Sequence, residues 1–211
     1  MPEALRAATP DDALAIARRR QIFLAACRVL ARKSFHQATV KEIALEAGLA
    51  AGSIYVYFQT KDDILLLLAD SMVGELAESL PTIRESAQGD PRRELLGIMR
   101  RVLDIIDRYR EAFAALNHEV RYLERNPRYR DDLRRIIAPY RGALRNALEN
   151  GKAAGVLHFD SVQSAVEAMH MLCSGWAMGG SLLARTDKET YWREIAGIVE
   201  GRFFSGSGGG V

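Results

Sequence analysis

The sequence predicts an all-α fold, a small three-helix head followed by a larger helical domain, on three observations. Apolar residues recur at helical spacing along almost the whole chain, cap and stop residues punctuate that pattern, and no segment reads as a credible strand. The one stretch that alternates like a strand, "SIYVYF" at 53 to 58, is too closely framed by helix signals to be one. There are no repeats and no heptads.

The first helix is "RRRQIFLAACRVLARKSF", with Ile22, Ala25, Ala26, Val29 and Leu30 on one face and arginines on the other. Thr9-Pro10 upstream offers a cap and a proline at the first helical position, so the helix can begin there. After a break at Ser34 to Ala38, Thr39 to Glu42 spells a capping box, and the short helix it opens turns Ile43, Ala44 and Ala47 inward before stopping at Gly48. A second short helix is expected over about 50–58, with Ile54 and Phe58 one turn apart on its inner face. "TKDD" at Thr60 to Asp63 caps a longer helix carrying Leu68, Met72, Leu76 and Leu80, which Pro81 is expected to end. Further helices are predicted at about 91–108, 111–124 and 128–154, the last kinked at Pro139. Gly155 closes that helix, Asp160 with Gln163 caps the next to about Ala184, and the box Thr186 to Glu189 starts a closing helix to about Phe204.

The 211 residues, 48% hydrophobic and 27% charged, suit a globular chain with a proper core. Disorder is expected only at residues 1–8 and in the tail 205–211. No apolar run is long enough for a bilayer and no signal-peptide pattern opens the chain, so a cytoplasmic protein without a membrane partner is expected. Cys27 and Cys173 both fall in apolar helical patterns, as reduced buried thiols do. The net charge of +2 divides unevenly: Arg18 to Lys61 holds eight basic residues against Glu42 and Glu46, which leaves the remainder net acidic. The N-terminal quarter therefore suits a polyanion, although a basic run is also what a solvated helix face looks like.

Two short helices joined at a glycine, preceded by a longer one and lying in the basic region, meet the physical description of a helix-turn-helix, whose second helix enters the major groove. Ile54 and Phe58 then point inward, leaving Ser53, Tyr55, Val56 and Tyr57 on other faces. An outward tyrosine can offer its hydroxyl to a phosphate or its ring to a thymine methyl. The plainer alternative is that both tyrosines only close a small core.

The segment Arg20 to Leu66, centred on "ATVKEIALEAGLAAGSIYVYFQTKDDIL", resembles the N-terminal DNA-binding domain of TetR-family transcriptional regulators. That resemblance implies a DNA-binding domain over 9–61 and a ligand-binding and dimerisation domain over 62–204. It also implies a homodimer formed through about 160–204, a palindromic double-stranded operator, and repression relieved by a small molecule. Position by position, Thr39 and Tyr57 correspond to phosphate contacts, Ser53 and Tyr55 to groove-facing contacts, and Lys61 to a phosphate clamp at a helix N-terminus, where free backbone amides also favour an anion. The sequence departs from the family at Ala50 and Ala51, where relatives often carry serine and lysine, and at Val56, commonly histidine. More of the contact then falls on Tyr55, Ser53 and basic residues such as Arg20 and Lys41.

The C-terminal part has no glycine-rich phosphate loop, no serine elbow and no metal-spaced His/Cys cluster. His170 and Cys173 are one helical turn apart, but two such ligands alone make a poor zinc site, so neither cofactor nor metal nor catalytic residue is expected. An enzyme, for instance a thioesterase, would need a nucleophile and base that are not evident, while an activator or ligand-independent DNA-binding protein would share the same head. The helix from Asp160, with Met169, Met171, Leu172, Trp176 and Met178, is apolar around too much of its circumference for one protomer's core. Leu103, Ile106, Phe113, Leu116 and Trp176 are candidates to line a ligand site, or equally ordinary core. "GSIYVYFQTKDDIL" with "HEVRYLERNP" and "LENGKAAGVL" downstream is similar in order to TetR-type regulators of fatty acid degradation, which implies a long-chain acyl-CoA effector. Of the eight arginines from Arg121 to Arg145, Arg121 is the one chosen for its phosphates.

Overall fold

A computed structural model describes residues 10–178 and 187–203, and every regular element among them is helical. The helices are α1 (Pro10–Leu30), α2 (Val40–Glu46), α3 (Asp63–Ala87), α4 (Pro91–Arg108), α5 (Arg110–Arg125), α6 (Pro127–Ala153), α7 (Val162–Met178) and α8 (Lys188–Phe203), with a 3-10 turn at Ser53–Val56. No helix among them is long and apolar enough to cross a membrane.

Packing divides the chain into two compact units, residues 1–73 with 109–137 and residues 74–108 with 138–211. The division falls inside α3 and inside α6. In the first unit α1 packs on α2 and α5. Its core holds Ile22, Ala25, Ala26, Val29 and Leu30 of α1, Ile43 and Ala44 of α2, and Ile54, Phe58 and Leu68. In the second unit α4 packs on α7 and α8. There Leu95, Ile98, Met99 and Leu103 of α4 and Met169 of α7 are fully enclosed.

Local chemistry explains most boundaries. The Thr39 hydroxyl accepts from the Glu42 amide at 3.1 Å while the Glu42 carboxylate accepts from the Thr39 amide at 2.9 Å, the reciprocal capping box. At the other end of α2 the Leu49 amide reaches back to the Ala44 carbonyl at 2.9 Å, a closure that requires the left-handed backbone of Gly48, φ +66°. Thr60 and Asp63 cap α3 in the same reciprocal way, at 2.8 and 3.3 Å. Gly155, φ +68°, follows the end of α6.

Four expectations are corrected. Pro81 does not end α3, which continues to Ala87. Proline deprives the Ala77 carbonyl of its helical partner, but Ala77 and Pro81 lie on an exposed face open to solvent, and the helix stops instead where Gln88 and Gly89 adopt φ +53° and +81°. The second short helix is smaller than 50–58: only Ser53–Val56 is helical, as a 3-10 turn, with the Tyr57 and Phe58 amides both on the Ile54 carbonyl at 3.0 Å. Gly52, two β-branched residues and two adjacent aromatics make this a poor α-helix former. The cap of α7 is Ser161, whose hydroxyl accepts the Ser164 amide at 3.3 Å, rather than Asp160. That of α8 is Asp187, which accepts the Thr190 amide at 2.9 Å, one residue beyond the expected Thr186. Thr186 itself, the expected end of α7 at Ala184 and that of α8 at Phe204 lie outside the described residues. α6 continues through Pro139.

The capping box makes a pH-dependent contribution. The Lys33 ammonium, 2.6 Å from Glu42, and then the Thr39 amide and hydroxyl hold the Glu42 carboxyl down at about 2, against an ordinary 4.5. A depressed carboxylate stabilises the fold above its unfolded value, and that stabilisation is lost as pH falls from about 4.5 to about 2. Thermal melts over this range should therefore fall more steeply for the wild type than for Glu42→Gln, and equal slopes would remove Glu42 from the acid response. At neutral pH, Thr39→Ala should cost about 1 kcal/mol in urea unfolding.

Candidate nucleic-acid interface

The 3-10 turn presents its side chains as the helical reading requires. Ile54 and Phe58 are buried, at 0% and 2% exposure, and they anchor the turn against the core, while Ser53, Tyr55 and Val56 face outward. Tyr57 is half-buried, its ring centroid 6.5 Å from that of Phe58. Tyr55 is 55% exposed, which argues against its serving only to plug the core.

Around this turn the basic residues divide into two groups. Arg28 and Arg32 both hold Glu46, at 2.6 and 2.5 Å, and Lys33 holds Glu42, so these three tie the end of α1 and the turn after it to α2. Arg19 is drawn inward, its guanidinium carbon 5.9 Å from the Phe58 ring centroid. Arg20 and Lys41 are exposed, as is Thr39, whose hydroxyl also lies 3.0 Å from Glu42. The net basicity seen in the sequence is thus partly structural.

Lys61 stands just before α3, half-buried, with its ammonium 4.5 Å from the Phe35 ring centroid and donating to the His36 carbonyl at 3.1 Å. Burial lowers its pKa, an effect opposed by Asp62, Glu119 and Glu42. An ammonium has three donors, so one fixed on His36 leaves others for a phosphate.

Sequence reasoning missed what holds this end of α3. The Tyr122 hydroxyl donates to Asp62 at 2.9 Å, the Tyr129 hydroxyl lies 3.0 Å from that of Thr60, and Arg128 donates to Gln59 at 3.0 Å with Asp63 3.7 Å away. Tyr109 sets its ring edge-on to Phe23 of α1, centroids 4.9 Å apart. Residues of "RYLERNP" and those just after it thus grip the loop that carries Lys61, a long-range pairing that local spacing cannot reveal.

The six candidate ligand residues fall into different units. Phe113 and Leu116 are half-buried and Arg121 exposed on α5, in the first unit. In the second, Leu103 and Ile106 are enclosed, at 0% and 2% exposure, and the Trp176 indole donates to Asp107 at 2.9 Å while stacking near Tyr191, centroids 5.3 Å apart. A polar string unforeseen from sequence runs through the second unit: the Tyr140 hydroxyl lies 3.0 Å from His170 Nδ1, and His170 Nε2 lies 3.4 Å from the Ser174 hydroxyl. Burial lowers the pKa of His170, and a nearby Arg141 adds to the effect. Cys173 is buried and Cys27 half-buried; both are free thiols that burial pushes up to about 12, as expected of packing cysteines.

Residues 22–68 match the family model described as bacterial regulatory proteins, tetR family. Over these residues the chain carries a TetR-type N-terminal domain. The fatty acid metabolism regulator protein of Bacillus subtilis (strain 168) is 39% identical over 77 residues, 36% of this chain and 40% of that relative, so the chain spans less than half the length of this curated relative. The repressor KstR2 of Rhodococcus jostii (strain RHA1) is 28% identical over 148 residues, 68% of this chain and 69% of the relative. Among solved structures, the fatty acid degradation regulator FadR from Bacillus halodurans superposes with a TM-score of 0.70 at 22% identity, covering 86% of this chain and 97% of the other. That likeness shows a shared fold.

Proposed function

We propose that this chain is a TetR-family homodimeric transcriptional repressor acting in the cytoplasm, whose 3-10 turn reads a palindromic operator and which a small apolar molecule releases. The observation that carries the DNA reading is the outward set Ser53, Tyr55 and Val56 on a turn pinned from beneath by Ile54 and Phe58. In this reading Tyr55 and Ser53 meet base edges, Thr39, Tyr57 and Lys61 meet phosphates, and Arg20 and Lys41 add nearby charge. Two heads read half-sites about 34–36 Å apart in successive major grooves. Dimerisation through α7 and α8 would cover Met171, Met178 and Ile198, which are 60%, 60% and 54% exposed.

Long-chain acyl-CoA is the effector this reading favours, supported by the names of the B. subtilis relative and of the B. halodurans regulator. Leu103, Ile106 and Trp176, all of the second unit, would meet the acyl chain. An effector that binds only one conformation of the dimer would reset the spacing of its two reading heads. A coupling of about 1–3 kcal/mol changes operator affinity roughly 5- to 150-fold. Anisotropy on a duplex selected from a random pool should show that loss with palmitoyl-CoA and not with free coenzyme A. Unchanged affinity at saturating palmitoyl-CoA would rule out this effector and leave the operator reading intact.

A further inference from the structure

We infer that His36, His118 and Glu119 form a divalent transition-metal site that fastens the turn before α2 to α5. The three residues come from distant parts of the sequence, His36 from the connection between α1 and α2 and the other two from α5, all within the first unit. One ligand atom from each lies within 4.8 Å of the others. Glu119 Oε1 is the meeting point, 3.0 Å from His36 Nε2 and 3.3 Å from His118 Nδ1. A tetrahedral zinc ion with bonds near 2.1 Å has donor atoms about 3.4 Å apart along each edge, so both observed separations fit with small adjustments.

The chemistry of the set is selective. Two imidazoles and one carboxylate suit zinc, cobalt or nickel better than magnesium or calcium, which prefer oxygen. Both histidine side chains are open to solvent, at 72% and 83% exposure, while Glu119 is 14% exposed, so an ion has an entry path and the carboxylate is already placed. One carboxylate oxygen set between two ring nitrogens satisfies both only if both nitrogens carry protons; a metal ion in their place lets all three act as ligands with the rings neutral. Water would complete the coordination. The Lys61 ammonium, whose charge acts on Glu119 and which holds the His36 carbonyl, opposes the ion and tempers its affinity.

The test titrates the chelator-stripped full chain with zinc chloride by calorimetry, with cobalt(II) as an optical probe. One ion per chain is expected, together with visible cobalt bands of a low-symmetry site and a raised thermal midpoint, since an ion that binds the folded state stabilises it. His118→Ala, on the surface of α5, and the isosteric Glu119→Gln should each weaken zinc at least about tenfold and abolish the thermal shift, while His158→Ala should change neither. Absence of zinc binding would overturn the proposal. So would binding of equal strength in wild type, His118→Ala and Glu119→Gln, which would mean that an ion is held by other groups. Because none of these readouts uses DNA, the outcome is independent of the repressor reading.

Discussion

Ile54→Ala is expected to cost about 2–5 kcal/mol in chemical unfolding and to abolish duplex binding, the largest effect of any single change considered for the head. Ile54 is fully enclosed, and its carbonyl accepts the amides of both Tyr57 and Phe58. The helical part of the turn it anchors is only four residues long, so burial of Ile54 and Phe58 supplies most of what fixes Tyr55 in space. Val56→Ala, at an 80% exposed position one turn edge away, is the control and should leave stability within about 0.5 kcal/mol. Equal destabilisation by the two changes would mean that the turn is not pinned from beneath.

Lys61→Ala and Tyr55→Ala should weaken DNA binding in different ways. Loss of a phosphate-contacting ammonium lowers affinity for every duplex alike and reduces the salt slope by about one. Loss of a base-facing ring weakens the selected duplex and relaxes preference at the bases it touched, while non-specific binding changes little. Lys61 also packs on Phe35 and holds His36, so unfolding of the Lys61 variant is measured alongside. A wild-type salt slope in Lys61→Ala would confine Lys61 to that structural role.

Much of the head was legible because its signals are local. Thr39 with Glu42, Thr60 with Asp63, the glycine at 48 and the pairing of Ile54 with Phe58 each act within one or two turns of helix, and each is found as spacing requires. Pro81 misled because a proline's cost depends on whether the carbonyl it orphans faces water, which no local pattern reports. The 3-10 character of 53–56 came from a competition between helical spacing and poor helix formers, in which spacing fixed the faces and propensity fixed the length. Contacts across many residues were not legible at all: the hold of Tyr122, Arg128 and Tyr129 on the start of α3, the His36, His118 and Glu119 cluster, and the Tyr140 to Ser174 string. For the same reason the apolar residues chosen as ligand contacts could not be told from core, and Leu103 and Ile106 are enclosed.

The central claim is that the outward face of the 53–56 turn reads duplex DNA in sequence. Selection of bound duplexes from a random pool by the full chain, followed by anisotropy of the enriched sequence against a scrambled one, tests it directly. An inverted repeat enriched by the wild type, with its preference relaxed by Tyr55→Ala, is the predicted result. Equal affinity for enriched and scrambled duplexes, or no enrichment at all, would contradict it.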